Sequence, residues 1–554
     1  MDEVLELTPL YDLLLWDDCI EIPEQLLYRK KGDAHFSDGV LYIKENSVVM
    51  FDTYFNSFSA DKWKHYTLVD KFFLELCFSG KILLRIYEMN SRKTVFEGIL
   101  TSKGKSKLHI PFFATSVAAF DIEAISDSSL FGGAYCCDNT VEWSYLDIAM
   151  CTYKREKYVK RNIKTLDRAL KKYKYLASKC HLFLVDNGGT LDDSILGSGH
   201  VSVFHQTDLG GTAGNMRALL EIMARRKNDP SFVVFMDDDV EFLPNMLQRL
   251  HSFTSLLREE HLCNEIAGAM FALEKRNVQH ESGAIFTGIG NVSIHEDWDM
   301  CKAELVVENE DFSQAQYGAG FLRVIPLNLL KEKGTFFPAF MRYDDVEYGL
   351  RIGTSPITLN GIQVWHESFQ YKDNSAVFYY EYRNALIVES MHRRKSFFEK
   401  VLRINRVVLW YSLCFHYNYS LAIVKGISDY LKGPEWLNNV DCKNLHEELL
   451  PLNYVYSPID EDDNKEYILS NRYKRTDFKR RRCAHIKNEL NMTGYTVRFS
   501  ACNLVNVLAH LIVVDLKFCL RYGMASRKYR QSYPEICNQD YWRKILYGFE
   551  VREK

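Results

Sequence analysis

LDIAMCTYKREKYVKRNIKTLDRALKKYKYLA, from Leu146 to Ala177, begins as an unbroken apolar run and continues as a segment whose apolar side chains recur every three or four positions. The first part has the length and character of a buried strand and the second the period of an amphipathic helix. The pattern then repeats: HLFLVDNGG (His181–Gly189), VSVFHQ (Val201–Gln206), LGGTAGNMRALLEIMARR (Leu209–Arg226) and FVVFMDDDV (Phe232–Val240). Strands alternating with helices predict a mostly parallel sheet covered on both faces. In such sheets ligands lie at the carboxyl ends of the strands, which is where Thr152, Asp186 and the aspartates 237–239 fall.

Outward from this unit the character changes on both sides. From Gly39 to Trp143 short alternating runs broken at Asn46, Ser79-Gly80 and Lys103-Gly104 predict an all-β sandwich or barrel. Beyond Phe398 the pattern is chiefly helical and aromatic, with an acidic loop, DEDDNKE (Asp460–Glu466), and a basic run, NRYKRTDFKRRR (Asn471–Arg482). The expected division is 1–145, 146–397 and 398–554.

A chain of 554 residues exceeds one ordinary core, and 47% hydrophobic with 26% charged residues is a globular composition. The net charge of −4 gives no footprint for nucleic acid. The start, MDEVLELTPLYDLLLWDD, is acidic and lacks the features of a secretory signal, so a cytoplasmic location is expected. The fourteen cysteines lack metal-site spacing, and adjacent Cys136 and Cys137 suit reduced thiols better than a disulfide. Leu504–Gly523 is the nearest approach to a membrane span, but His510, Asp515 and Lys517 interrupt it; it fits a buried helix or one lying at a membrane surface, and of the two the buried helix is expected.

Carboxylates a few Å apart repel by roughly 4 kcal/mol per pair at an effective dielectric near 20, so three in a row need a neutralising partner. Oxygen ligands favour Mg²⁺ or Mn²⁺, and magnesium completes its shell with phosphates and water. Read alone, Asp237–Asp239 would fit a turn or helix cap about as well. A second acidic cluster, MRYDDVEYGLRI (Met341–Ile352), offers Asp344 or Asp345 as a general base, and ITLNGIQVWHESF (Ile357–Phe369) ends a strand at His366.

Taken in order, CTYKREKYVKRNI, VDNGG, DLGGTAGNMR, MDDDV and YDDVEYGLR resemble the family 2 glycosyltransferases, which implies an α/β GT-A catalytic domain between a β-sandwich and a helical region. The triple aspartate, Asp-Asp-x-Glu-x-Gly-Leu-Arg, Trp365-His366 and Arg383-Asn384 narrow the resemblance to the polymerising galactofuranosyltransferases of mycobacterial galactan. The resemblance implies Asp237, Asp239 and His366 as ligands of Mn²⁺ or Mg²⁺. It implies donor contacts from Thr152, Arg155, Asp186, Asp208, Arg217, Asp237 and Asp238, a base at Asp345 beside an acceptor-positioning Asp344, and acceptor contacts from Glu281, Trp298 and Tyr343. The implied reaction is inverting transfer of galactofuranose from UDP-galactofuranose to a growing or lipid-linked surface glycan, by a homotetramer peripheral to the cytoplasmic face of the inner membrane. The basic run would face anionic headgroups. Two departures stand out: Asp208 replaces an asparagine, and QYGAGFLRV (Gln316–Val324) replaces an acceptor wall containing tryptophans. Another UDP-hexose donor, or a non-catalytic carbohydrate-binding protein on a GT-A shell, are the alternatives.

Overall fold

The computed structural model describes residues 7–192, 199–227, 230–392, 396–460, 465–470 and 474–548. Parts of the acidic loop and of the basic run, 461–464 and 471–473, lie outside them. The first sheet has ten strands and is built on a long hairpin, β1 (Phe72–Glu88) and β2 (Thr94–Phe112). Along its other edge, β1 pairs first with β4 (Ser128–Cys137) and then with β3 (Val117–Ala124), so the sheet divides there. Ser79-Gly80, expected as a turn, is a bulge inside β1. Gly80 has φ of +108°, and a Cβ there would collide with Ser128, so the chain shifts register and continues as strand.

The second sheet follows the predicted alternation. β5 (Tyr145–Thr152) leads into α1 (Glu156–Lys172), and β6 (Cys180–Asp186) and β7 (Val201–His205) into α2 (Gly211–Arg225). β8 (Ser231–Met236) is followed by α3 (Pro244–Leu256). These four strands lie parallel in the order β7-β6-β5-β8, so the sheet reverses direction of winding between β5 and β8. A crevice opens at such a switch point, and the aspartates lie in it. The sheet is extended antiparallel by β11 (Leu322–Pro326), after a separate pair of neighbours, β9 (Ala269–Ala272) and β10 (Val278–Glu281). β9 is in turn parallel to β12 (Gln363–His366).

Aromatic residues of the first region lock onto the second. Trp63 packs edge-on against Phe253, and Tyr54 meets Phe271, all fully buried. Lys62, 1% exposed, crosses the same junction to Glu310 at 2.9 Å. Further along, α4 (Asp344–Ile352) precedes α5 (Ser375–His392), α6 (Phe397–Leu413) and α7 (Tyr417–Tyr430). The expected helical region also holds a four-stranded sheet within 457–498, before α8 (Ala501–Ile536) and α9 (Gln539–Tyr547).

The expectation of a buried helix at Leu504–Gly523 is corrected. Val507, Leu511, Val514 and Phe518 of α8 face the core, but Ile512, Leu516, Leu520 and Met524 face outward, Leu520 with 83% of its surface exposed. Apolar residues occupy both sides of this helix, so composition alone did not say which side was covered. Among the described residues α8 is long and apolar enough to cross a membrane. All fourteen cysteines are free.

Candidate active site

The loop after β8 is clamped from three sides. Asn162 and Arg161 on α1 donate to the carbonyls of Asp238 (2.8 Å), Asp239 (3.1 Å) and Val240 (2.7 Å). Glu241 pairs with Arg161 and Arg276 and exchanges two backbone hydrogen bonds of 2.8 Å with Trp365. That bridge sets His366, the next residue, against the aspartates.

The three carboxylates do different things. Asp238 turns inward, accepting from Thr152 Oγ1 at 2.6 Å and Arg155 Nη1 at 2.9 Å. Burial raises it to about 6, against the pull of Arg155 and Thr152. Asp239 Oδ1 lies 3.2 Å from His366 Nε2, while its Oδ2 takes Arg155 at 3.0 Å and Lys372 Nζ at 2.7 Å. Burial alone would raise Asp239, but the hydrogen bond to His366 and the charges of His366, Lys372 and Arg155 hold it well below the usual carboxylate range. Asp237 Oδ2 is 3.9 Å from His366 Nε2. The cleft walls and then the charge of Asp239 push Asp237 up, although 47% of its side chain still meets solvent.

Ligand atoms of Asp237, Asp239 and His366 all lie within 4.8 Å of one another. Two carboxylate oxygens and one imidazole nitrogen suit Mn²⁺ or Mg²⁺, and the protein already places a cation, the Lys372 ammonium, against two of the three residues. The residues therefore fit a divalent ion.

The second acidic pair opens α4. Phe340, Arg342 and Tyr343 immediately before it all have positive φ (+69°, +66° and +72°), a costly run for residues with side chains. Asn384 on α5 stabilises it by donating to the carbonyls of Ala339 (3.1 Å), Met341 (2.8 Å) and Arg342 (3.0 Å). The glycine-rich turn packs on the same loop. Gly210 has φ of +87° and would strike the Phe340 carbonyl with a Cβ, while Thr212 Oγ1 donates to Asp344 at 3.0 Å. Burial, then the charge of Asp345, raises Asp344 to about 7.

Asp345 is oriented by two backbone N–H groups, Gly320 (2.9 Å) and Val346 (2.7 Å). Phe321, next to Gly320, accepts from Asp237 N at 3.4 Å, so the segment 320–321 joins the two acidic clusters. Glu281, 5% exposed, accepts from Ser293 at 2.7 Å, and burial followed by the charge of Asp345 raises it to about 7.

Thus Thr152, Arg155, Asp237, Asp238, Asp239 and His366 form one group, with Asp344, Asp345 and Glu281 as a second alongside. Asp186 and Asp208 act on their own turns. Asp186 accepts from the N–H groups of Gly188, Gly189 and Leu191, and Asp208 from Gly210. Three further residues of the expected set have partners of their own. Arg217 pairs with Glu221 and lies over Phe204 and Tyr547 on the outer face of α2, because the helix turns it away from the strand ends. Trp298 is stacked on His295 at 3.9 Å, and Tyr343 is buried at 3% exposure against Phe286. Lys372, Arg161 and Asn162 were not singled out from the sequence, since each is a single polar residue without period or motif of its own, and Asn384 was noted only in the pair Arg383-Asn384, without this role.

Two segments of the chain match known protein families. Residues 147–255 match the glycosyl transferase family 2 domain, and residues 29–138 the galactofuranosyltransferase 2 N-terminal domain. Galactofuranosyltransferase GlfT2 of Mycolicibacterium smegmatis is 24% identical over 452 residues, covering 72% of this chain and 66% of that protein. GlfT2 of Mycobacterium tuberculosis is 27% identical over 265 residues, covering 44% and 40% respectively. The matches thus span just under two thirds or less of those relatives' length. A solved mannosyltransferase of Pyrobaculum calidifontis, in complex with GDP-Man and Mn²⁺, is 15% identical, covers 56% of this chain and 82% of its own, and has a TM-score of 0.30. Residues 147–255 thus carry a family 2 glycosyl transferase domain, preceded at 29–138 by a domain like the N-terminal one of galactofuranosyltransferase 2.

Proposed function

We propose that the protein transfers galactofuranose from UDP-galactofuranose, with inversion, to a hydroxyl of a growing or lipid-linked surface glycan. The observation that carries this is the coupling of a metal-binding set, Asp237, Asp239 and His366, to a second acidic pair through Gly320 and Phe321. A divalent ion held by the three residues would supply positive charge for the departing UDP. Arg155, on the same aspartates, adds charge at the diphosphate. Asp345 takes the proton of the attacking sugar hydroxyl at a carboxylate whose orientation two N–H groups fix. Asp344, which keeps a proton through much of the neutral range, hydrogen-bonds the acceptor.

The segment 316–324, which departs from the tryptophan-containing acceptor wall that the resemblance implies, favours a second reading of the acceptor. A shorter or differently linked glycan meets a less aromatic wall here. The outward apolar stripe of α8, with exposed Lys479, Arg480 and Arg482 in the same region, supports contact with the cytoplasmic face of a membrane.

UDP release from a panel of UDP-sugars in Mn²⁺, with and without glycan acceptors, tests the reading. UDP-galactofuranose should turn over fastest, and Asp239→Ala should abolish both turnover and metal-dependent UDP binding. Full activity in that variant, or no turnover of any UDP-sugar by the parent protein, would refute it.

A further inference from the structure

A protein cation already occupies the set of residues that would bind the metal. Oδ2 of Asp239 accepts from Arg155 and from Lys372 at once, and Lys372 Nζ also lies 3.0 Å from His366 Nε2. The lysine is thus in contact with two of the three residues that a divalent ion would use. An ammonium and a divalent ion cannot share that oxygen and nitrogen without strong repulsion, so one excludes the other.

Of the two cations on Asp239, Lys372 is the one built to leave. Arg155 bridges Asp238 and Asp239 and is fixed by both. Lys372 has a four-carbon stem, keeps 24% of its side chain exposed, and makes these two polar contacts at its tip. Its backbone, by contrast, is fastened. Asn374 donates to the Lys372 carbonyl at 3.2 Å, Asn488 to the Tyr371 carbonyl at 3.4 Å, and Tyr419 to the Asp373 carbonyl at 3.5 Å. The anchor stays put while the ammonium can swing. A bound diphosphate would offer it new acceptors close by, and a lysine ammonium has three donors and no acceptor of its own.

We propose that Lys372 is a resident counter-cation: it neutralises Asp239 and lies against His366 Nε2 in the metal-free protein, yields its place to the divalent ion, and moves onto the diphosphate of the donor. This rests on the reading of Asp237, Asp239 and His366 as metal ligands. It makes metal and nucleotide bind together better than either alone, because the lysine that metal displaces is the one the diphosphate receives.

The test is Mn²⁺ binding to the full chain, followed by the paramagnetic resonance signal of the free ion, first without nucleotide and then with UDP. Lys372→Met should bind Mn²⁺ alone at least about tenfold more tightly than the parent protein, since a competing charge is gone. At saturating Mn²⁺ the same variant should bind UDP at least about tenfold more weakly, since an ammonium contact is lost. Its melting temperature should also rise more on adding Mn²⁺ than that of the parent protein. If Lys372→Met does not fold, Lys372→Gln carries the same expectations. Unchanged or weakened Mn²⁺ affinity in the folded variant would overturn the proposal and leave the metal site standing. No Mn²⁺ bound by the parent protein even with UDP, and no difference from Asp239→Asn, would overturn the metal reading itself.

Discussion

Asp344 and Asp345 carry the same functional group in adjacent positions, yet the fold sets them different tasks. Asp344 accepts from the Thr212 hydroxyl and is raised to about 7 by burial and its neighbour, whereas Asp345 is aimed by two N–H donors and is joined through Gly320 to the strand that meets Asp237. If Asp345 is the base, Asp345→Asn should keep UDP and Mn²⁺ affinity within about threefold, since none of the metal-set contacts involves it, and lower turnover by at least ~10²-fold. Calorimetry with UDP beside a turnover assay separates the two, and a collapse of UDP binding would make Asp345 a ligand instead. At this scale the sequence was most informative where charge made a demand. The run Asp237–Asp239 drew notice because a crowd of acids needs a cation, whereas His366 was added to it only through the resemblance; ligand atoms of Asp237, Asp239 and His366 lie within 4.8 Å of one another. Lys372 was not readable, being one lysine in a polar loop, and an aromatic beside two acids, as Tyr343 is, looks the same in sequence whether it lines a site or fills a core.

Between residue and fold, short elements hold the chemistry in place, and their regularity decides how far they could be read. β5, β6 and β8 are mainly apolar runs, broken by Asp147 in β5 and His181 in β6, ending in Thr, Asp and a turn to Asp, so their type followed from pattern. The left-handed run before α4 has no such signature, because positive φ at Phe340, Arg342 and Tyr343 is imposed by distant partners and not by local preference. Asn384 is the main one. Replacing it with alanine removes the donor to three carbonyls and leaves a loop that costs energy without support. Asn384→Ala should therefore shift Asp344 and Asp345 relative to the metal set, and small displacements of reacting groups cost up to about 10²-fold in rate. Turnover should fall about 10- to 100-fold while Mn²⁺ affinity, set by β8 and β12, is retained. A variant with normal turnover would show that the loop holds its shape unaided.

Across the whole molecule one buried cluster runs from Leu10 to Cys537, so the three regions of sequence character share a continuous core. That continuity was invisible in the chain because it depends on pairs far apart. Trp63 reaches Phe253, and Trp542 on α9 donates to the Phe336 carbonyl at 2.7 Å, inside the catalytic sheet's own packing. The same long-range packing explains α8. Phe518 stacks on Phe397 and Tyr529 on Tyr430, which fixes one face of the helix inward and leaves Ile512, Leu516, Leu520 and Met524 outward as a stripe four residues apart. Four such side chains in water are a standing cost that a lipid surface would relieve, at about 25 cal/mol per Å² covered. Leu516→Glu combined with Leu520→Glu touches none of the inward residues, so the folded protein should keep its melting temperature within about 2 °C, as expected of exposed positions. Flotation with vesicles containing anionic lipid should then fall at least about tenfold, because two apolar anchors become charges repelled by the headgroups. If flotation is unchanged and sedimentation instead shows a smaller assembly, the stripe is a contact between copies of the chain and the membrane reading of α8 is wrong.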